Sequence, residues 1–139
     1  MEKRYDIIDH TADIGIVAYG RDLKETFANA ATALFDLIAE RDRVKPRLRR
    51  TVAVSAGDRE ALLVAWLNEL IFLFDVERLL FKEFQVTALT DRALQAECLG
   101  EKLNPKRHAL KTGIKAATYY MLKIAETPGG FEATVIFDI

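Results

Sequence analysis

Hydrophobic side chains recur at helical spacing in two long segments of the chain. In the first segment Asp22 and Glu25 stand three residues apart, as an N-cap and its capping-box partner do. Apolar residues then repeat every three or four positions: Leu23, Phe27, Ala30, Ala31, Leu34, Phe35 and Ile38. Asp58 is the predicted N-cap of the second helix, whose apolar face is wide enough for a central core helix: Leu62, Leu63, Trp66, Leu67, Leu70, Ile71 and Phe74.

Shorter segments rich in β-branched and aromatic residues predict strands, and turn residues separate them. Segment 114–120 fits both a strand and a helix, and we favour a short helix that runs into a strand near 121–125. Loops are predicted at 41–50, around Pro46, and at 100–113, around Asn104-Pro105. The predicted strands are 5–8, 14–19, 51–57, 79–89, 93–99 and 131–139.

Two long helices mixed with hairpin strands predict an α+β fold rather than a doubly wound βαβ fold. We expect a mixed or antiparallel sheet packed with both helices. The length of 139 residues suits one domain, and no internal repeat or linker divides it. The predicted domain therefore spans residues 1–139.

Composition excludes several classes of protein. Half of the residues are hydrophobic, 29% are charged and the net charge is −1, which argues against a disordered chain and against a global field that attracts nucleic acid or anionic membranes. Cys98 is the single cysteine, which excludes an internal disulfide. Segment 61–74 is too short and too interrupted to span a bilayer, and no signal peptide is evident, so we expect a cytoplasmic protein.

The sequence "DHTAD" is the first candidate for chemistry. It places Asp9, His10 and Asp13 at a junction between two predicted strands, and no phosphate-binding loop, GxSxG, CxxC or HExxH motif accompanies it. Aspartates are common in turns because they bond backbone N–H groups, so a structural role is one interpretation. The other is a site for a hard cation, which would need oxygen ligands from elsewhere in the fold.

The C-terminal "VIFDI" could supply those oxygens. It places the Asp138 side chain beside the main-chain carboxylate of Ile139. Two carboxylates at one strand end repel each other unless a cation or a basic side chain neutralises them. A solvated strand end is the simpler interpretation. The sharper hypothesis is that Asp13, Asp138 and the Ile139 carboxylate meet around one metal ion.

Basic residues give weaker candidates. Lys115, in "GIKAATYY", is an exposed lysine in one interpretation and a partly desolvated ammonium facing a carboxylate in the other. The run "RDRVKPRLRR" at 41–50 could contact RNA phosphates, although arginines without interleaved aromatics usually coat a loop. His108 is interpreted as a loop residue and Cys98 as a small core residue.

Taken together, "DHTADIGI", "LLVAWLNELIFLFDVERLLFKEF", "GE" with a following "RH", "IKAATYY" and "VIFDI" resemble the archease family, in order and over essentially the whole chain. The resemblance implies a compact α+β accessory protein, not itself an enzyme, that promotes guanylylation and multiple turnover of the tRNA-splicing RNA ligase RtcB. It implies no membrane contact and at most indirect contact with RNA.

The same resemblance implies site residues. A divalent cation, Ca²⁺ before Mg²⁺ or Mn²⁺, would be held by Asp13, Asp138 and Ile139, with Lys115 needed for activation and Asp9 and His10 supporting the loop. This chain departs from the family pattern EIKAVTYH in its acidic residue and in its histidine, since Gly113 replaces the glutamate and Tyr120 replaces the histidine.

Two rival functions stay open at this point. A small metal-dependent phosphohydrolase could use Asp9, His10, Asp13 and Asp138, with His10 as the base. A chaperone-like or RNA-binding module could act through the basic run at 41–50.

Overall fold

The computed structural model of the chain describes residues 3–9 and 13–139, with Asp9 described by its backbone alone. Two α-helices and eight β-strands alternate irregularly along it, with a 3₁₀ turn at Arg41–Arg43. In chain order the elements are β1 (Tyr5–Asp9), β2 (Asp13–Gly20), α1 (Leu23–Ile38), β3 (Leu48–Ser55), α2 (Arg59–Glu77), β4 (Leu79–Leu89), β5 (Ala93–Lys102), β6 (Ala116–Ala117), β7 (Lys123–Thr127) and β8 (Gly130–Asp138).

The strands form two sheets in which every described pair is antiparallel. The first sheet has the order β1-β2-β8-β6, and β7 also pairs with β8, so β6 and β7 follow one another along the same edge. The second sheet has the order β3-β5-β4. Helices and antiparallel sheets in one domain confirm the predicted α+β class.

Both helices begin where their capping residues predict. The Asp22 carboxylate accepts a hydrogen bond from the Glu25 N–H at 2.8 Å, and the Asp58 carboxylate accepts one from the Ala61 N–H at 2.8 Å. The Glu25 side chain accepts from the Arg21 N–H at 2.8 Å, one residue earlier than in a standard capping box. These bonds satisfy N–H groups that lack a partner within the helix.

The core lies between the helices and the inner faces of both sheets. Helix α1 packs against β2 and β8 of the first sheet and against β4 of the second. Trp66 of α2 is fully buried and donates its indole N–H to the Phe27 carbonyl of α1 at 3.0 Å. Cys98 is also fully buried, as predicted, and burial raises the pKa of its thiol to about 12.

Three predictions of local structure need correction. Segment 114–120 contains no helix: it is extended, includes the short strand β6 and ends in a turn before β7. Strand β3 begins at Leu48, inside the predicted loop 41–50, because residues 48–50 pair with β5. For the same reason β5 continues to Lys102, beyond the predicted strand end, by pairing with β4.

Asn68 explains the extended conformation around β6. Its side chain lies on the core helix α2 and bonds both backbone groups of Ala117, accepting from the N–H at 2.8 Å and donating to the carbonyl at 3.3 Å. Thr118 adds a backbone and a hydroxyl bond to the Ile136 carbonyl. These long-range bonds outweigh the local helical spacing of the segment.

The Glu101 side chain, near the end of β5, forms hydrogen bonds to two loops, one at Lys45 and one at Arg107 and His108. Its carboxylate is almost fully buried and accepts bonds from the Lys45 N–H at 2.7 Å and from the Arg107 guanidinium at 2.6 and 2.9 Å. His108 also lies in a loop, as predicted, but is buried. Its Nδ1 accepts a hydrogen bond from the Asn104 N–H, so the ring proton is on Nε2. Nε2 donates this proton to the Glu101 carboxylate oxygen, which lies 3.0 Å away.

These contacts predict how acid affects stability. Hydrogen bonds from Arg107 in particular lower the pKa of Glu101 to about 2 from its ordinary 4.5. The resulting stabilisation is therefore complete above pH 4.5 and is lost as the pH falls toward 2. We expect Glu101→Gln to lower the free energy of unfolding by about 3 kcal/mol at neutral pH, measured by urea denaturation.

The difference between Glu101→Gln and the unsubstituted protein should shrink as the pH falls from about 5 to about 2, because both side chains are then uncharged. Glu40→Gln is the control, since Glu40 pairs with Arg43 at an exposed position and should matter little. A constant difference across this pH range would contradict the assigned role of the Glu101 charge.

Neither helix in the described part of the chain is long and apolar enough to cross a membrane.

Candidate functional site

The pairing of β2 with β8 brings Asp13 and Asp138 together. The two residues are direct cross-strand partners at the first position of β2 and the last position of β8. Side chains at directly opposed positions project from the same face of a sheet, with Cβ atoms about 5 Å apart. Two residues separated by nearly the whole chain are therefore neighbours at one end of the first sheet, which we call the acidic end.

Apolar alternation fixes this register. Ile14, Ile16 and Ala18 of β2 are buried opposite Phe137, Val135 and Ala133 of β8. If either strand shifted by one residue, its own apolar side chains would turn away from the helices. The register is therefore strongly specified.

The opposite face of the same strand pair carries Asp13 and Asp138. On this face Ile136 lies across Gly15, where an added Cβ would approach the Ile136 side chain to 2.6 Å. The glycine thus leaves room for the end of the Ile136 side chain to lie over this part of the sheet.

Asp13 carries an unusual polar atom. Its Oδ1 is buried and has no hydrogen-bond partner among the described residues, and it is the one buried side-chain oxygen or nitrogen of which this is true there. Buried polar atoms are nearly always paired, so such an exception needs an explanation. The position of Asp138 opposite Asp13 adds like-charge repulsion. A bound cation would give Oδ1 a partner and would also neutralise the repulsion between the two carboxylates.

The third proposed ligand follows directly in the chain. Ile139 directly follows Asp138 and is 40% exposed, so the position proposed for the third ligand lies beside the acidic end. No group of three or more His, Cys, Asp or Glu side chains that could hold a metal ion lies within residues 3–9 and 13–139. A cation at the acidic end would therefore need oxygen ligands beyond the two aspartates.

Lys115 is held next to the acidic end by its backbone. Its N–H donates to the Asp138 carbonyl at 2.8 Å. Its side chain is exposed, and its ammonium has no ion-pair partner in the described part of the chain. This position agrees with the exposed-lysine interpretation and leaves the ammonium able to reach a partner molecule.

Gly113 and Tyr120, which stand where the resemblance implies a glutamate and a histidine, both lie on the surface. Gly113 has no heavy atom within 4 Å of an added Cβ, and Tyr120 is 65% exposed. A glutamate at position 113 would therefore fit without displacing a neighbour.

The side chain of Asp9 and all of His10 lie outside the described residues, so the supporting roles predicted for them stay predictions. The backbone of Asp9 ends β1 opposite Ile14. The phosphohydrolase hypothesis depends on the same two side chains and likewise stays a prediction.

The arginines of the basic run at 41–50 form ion pairs with carboxylates of this chain. Each of its five arginines lies within 4 Å of a carboxylate. The pairs are Arg41 with Asp36, Arg43 with Glu40, Arg47 with Glu101, Arg49 with Glu97, and Arg50 with Glu77. Paired arginines attract phosphates less strongly, so this run is a weak candidate for RNA binding.

Asn68 is a positioning residue that sequence reasoning missed. By holding Ala117 it orders β6, whose first residue Ala116 pairs with Asp138. The sequence signal that could have identified it is the position of this amide side chain within the mostly apolar segment 61–74.

Comparisons with known proteins agree over nearly the whole chain. The family model of the archease protein family matches residues 5–139. The protein archease of Methanosarcina mazei is 40% identical over 141 residues, covering 99% of this chain and 97% of that protein. The protein archease of Pyrococcus abyssi is 42% identical over 141 residues, covering 99% of both chains.

Two solved structures share the fold. A solution structure from Methanobacterium thermoautotrophicum is similar with a TM-score of 0.82 and 32% identity, covering 98% of this chain and 99% of that one. A crystal structure from Thermotoga maritima, described as an archease and possible chaperone, has a TM-score of 0.66 and 19% identity, and its coverage is 100% of this chain and 98% of that one. The matches in sequence and in structure lead to one conclusion: this chain belongs to the archease family.

Proposed function

We propose that this protein is a cytoplasmic accessory protein of an RtcB-type RNA ligase, and that it acts through a divalent cation held at its acidic end. It would promote guanylylation and repeated turnover of the ligase without catalysing ligation itself. The observation that carries this proposal is the buried Oδ1 of Asp13, which lies opposite Asp138 and has no hydrogen-bond partner within residues 3–9 and 13–139.

The chemistry of the acidic end suits a hard cation. Asp13 and Asp138 provide carboxylate oxygens, and the main-chain carboxylate at Ile139 would provide a third group. All-oxygen ligands favour Ca²⁺, Mg²⁺ or Mn²⁺ over softer metals. A bound cation would supply positive charge that cancels the repulsion between the aspartates. The β2–β8 pair would hold both side chains in place, because a paired strand end allows little movement.

The position of the acidic end suits insertion into a cleft of a partner. It lies at the edge of the molecule, where Ile139 is partly exposed and the Lys115 side chain projects into solvent. Carboxylates presented in this way could load or retain metal in the active site of the ligase or help to position its triphosphate substrate. Lys115 would add a cation able to contact the phosphates.

Calcium should stabilise the protein through Asp13. A ligand that binds the folded state at about a hundredfold excess over its Kd adds about 2.7 kcal/mol of stability. We expect the Tm of the unsubstituted protein to rise with added Ca²⁺ and the Tm of Asp13→Asn to stay constant, measured by calorimetry. Without metal, Asp13→Asn should be at least as stable as the unsubstituted protein, because the substitution removes one of two opposed charges.

Asp42→Asn is the matched control, since Asp42 is an exposed aspartate on the 3₁₀ turn and is not among the proposed ligands. It should respond to Ca²⁺ as the unsubstituted protein does. An equal Ca²⁺ response in Asp13→Asn would remove Asp13 from the proposed ligands.

Ligase activation should depend on the same residue. In a multiple-turnover RNA ligation assay with the cognate ligase, we expect Asp13→Asn to abolish the stimulation and Asp42→Asn to retain it. The reason is that, of the two substituted aspartates, only Asp13 is a proposed ligand of the cation. Full stimulation by Asp13→Asn, with normal Tm, would refute the proposed role of the metal site.

The main-chain carboxylate can be tested separately. Adding a short Gly-Ser extension after Ile139 moves this carboxylate away from Asp138 while leaving both aspartates in place. We expect the extended protein to lose its Ca²⁺-dependent rise in Tm and most of its stimulation of the ligase. Unchanged values of both would show that the Ile139 carboxylate is not a ligand.

A further inference from the structure

A second polar site lies at the other end of the first sheet. A cavity of about 420 Å³ opens there, and Gly20 of β2 and Phe131 of β8, which are cross-strand partners, both line it. Strand β2 has eight residues, which places this cavity about 23 Å from Asp13. The cavity is thus separate from the acidic end.

Positive charge dominates the lining of this cavity. Lys3, Arg4 and Arg21 contribute three cationic groups, and Glu25 is the one carboxylate among the described lining residues. The Arg21 guanidinium binds Glu25 at 3.1 Å, and these bonds lower the pKa of the glutamate. Lys3 lies 3.2 Å from Asp6 at an exposed position, where such pairs are weak and easily exchanged.

Arg4 is the cation best placed to take an anion. Its side chain is exposed on the cavity wall, and its guanidinium has no hydrogen bond or ion pair within residues 3–9 and 13–139. Its backbone is fixed, because the Arg4 carbonyl accepts from the Tyr19 N–H at 2.8 Å. An unpaired guanidinium on an ordered backbone can donate two parallel hydrogen bonds to a phosphate group.

The walls of the cavity are also suited to a phosphate-bearing molecule. Thr127 contributes a hydroxyl that has no hydrogen-bond partner in the described part of the chain, and Tyr19 and Phe131 contribute aromatic rings. The turn that closes the cavity is held tightly, because a Cβ on Gly130 would lie 2.1 Å from the Gly20 carbonyl oxygen. Cations beside aromatic rings match the phosphate and base of a nucleotide.

We propose that this basic cavity binds phosphate groups, carried either by a free nucleotide or by an RNA strand. Arg4 supplies the principal contact, with Lys3 and the Thr127 hydroxyl beside it. The proposal goes beyond the accessory function, since it involves neither the acidic end nor a ligase, and its test needs neither.

Two substitutions test this site with matched controls. Arg4→Gln removes the unpaired charge, and Arg43→Gln makes the same change near the far end of α1. Gly129 lines the cavity and has no heavy atom within 4 Å of an added Cβ, so Gly129→Asp introduces a carboxylate there without a clash. Gly129→Ala controls for the side chain alone.

The experiment follows backbone amide signals of the ¹⁵N-labelled full chain by NMR as sodium pyrophosphate, GTP or a short single-stranded RNA is added at low salt. We expect saturable shifts at Gly20, Arg21 and Gly129 with a Kd of about 1 mM or tighter. Arg4→Gln should weaken binding about tenfold, and Gly129→Asp should weaken it at least as much. Arg43→Gln and Gly129→Ala should bind as the unsubstituted protein does.

The three probes separate the sources of phosphate. Tighter binding of GTP would support a nucleotide site, and tighter binding of RNA, with a steep salt dependence, would support an RNA contact. Absence of saturable shifts at the cavity with all three probes would overturn the proposal. Equal weakening by Arg4→Gln and Arg43→Gln would also overturn it, because binding would then reflect overall charge alone.

Discussion

The antiparallel register between β2 and β8 is the constraint on which the rest of the molecule depends. It buries an alternating apolar row from each strand against the helices. It also places Asp13, the last residue of the DHTAD motif, directly opposite Asp138. At its other end the same pairing joins Gly20 to Phe131 and forms part of the basic cavity. One strand pair thus carries both candidate sites.

The acidic end differs from the rest of the described fold in its polar contacts. Elsewhere in the described chain, buried polar side chains have partners, as Glu101 and His108 show. Asp13 combines a buried oxygen that has no partner among the described residues with a like charge directly opposite. Local violations of this kind are typical of functional sites, where the rest of the fold compensates for them. This contrast is the physical reason for placing function at the acidic end.

The basic residues show why charge must be judged in three dimensions. The run at 41–50 is the most basic segment of the sequence, yet each of its arginines lies within 4 Å of a carboxylate, three of them from β5 or α2. Arg4, by contrast, lies in an unremarkable N-terminal segment and has no such partner within the described residues. Attraction for phosphate depends on unpaired charge, so the isolated arginine is the better candidate.

Local rules were sufficient where each residue's role depends on its near neighbours. The N-caps at Asp22 and Asp58 and the apolar periodicity behind them predicted both helices, because capping bonds and amphipathic faces are local. Segments rich in β-branched and aromatic residues, bounded by turn residues, likewise predicted most strands. The resemblance of ordered motifs to the archease family predicted the fold and identified Asp13 and Asp138 as candidates before any geometry was known.

Tertiary structure decided what depends on residues far apart in sequence. Segment 114–120 carries both helical and strand spacing, and the bonds from Asn68 and to Ile136 select the extended form. The sequence could propose that Asp13 and Asp138 meet, but only the strand register places them opposite each other. The sequence by itself therefore determined both helices and most strands, because their signals are local, whereas long-range pairing decided the form of segment 114–120 and which side chains share a site.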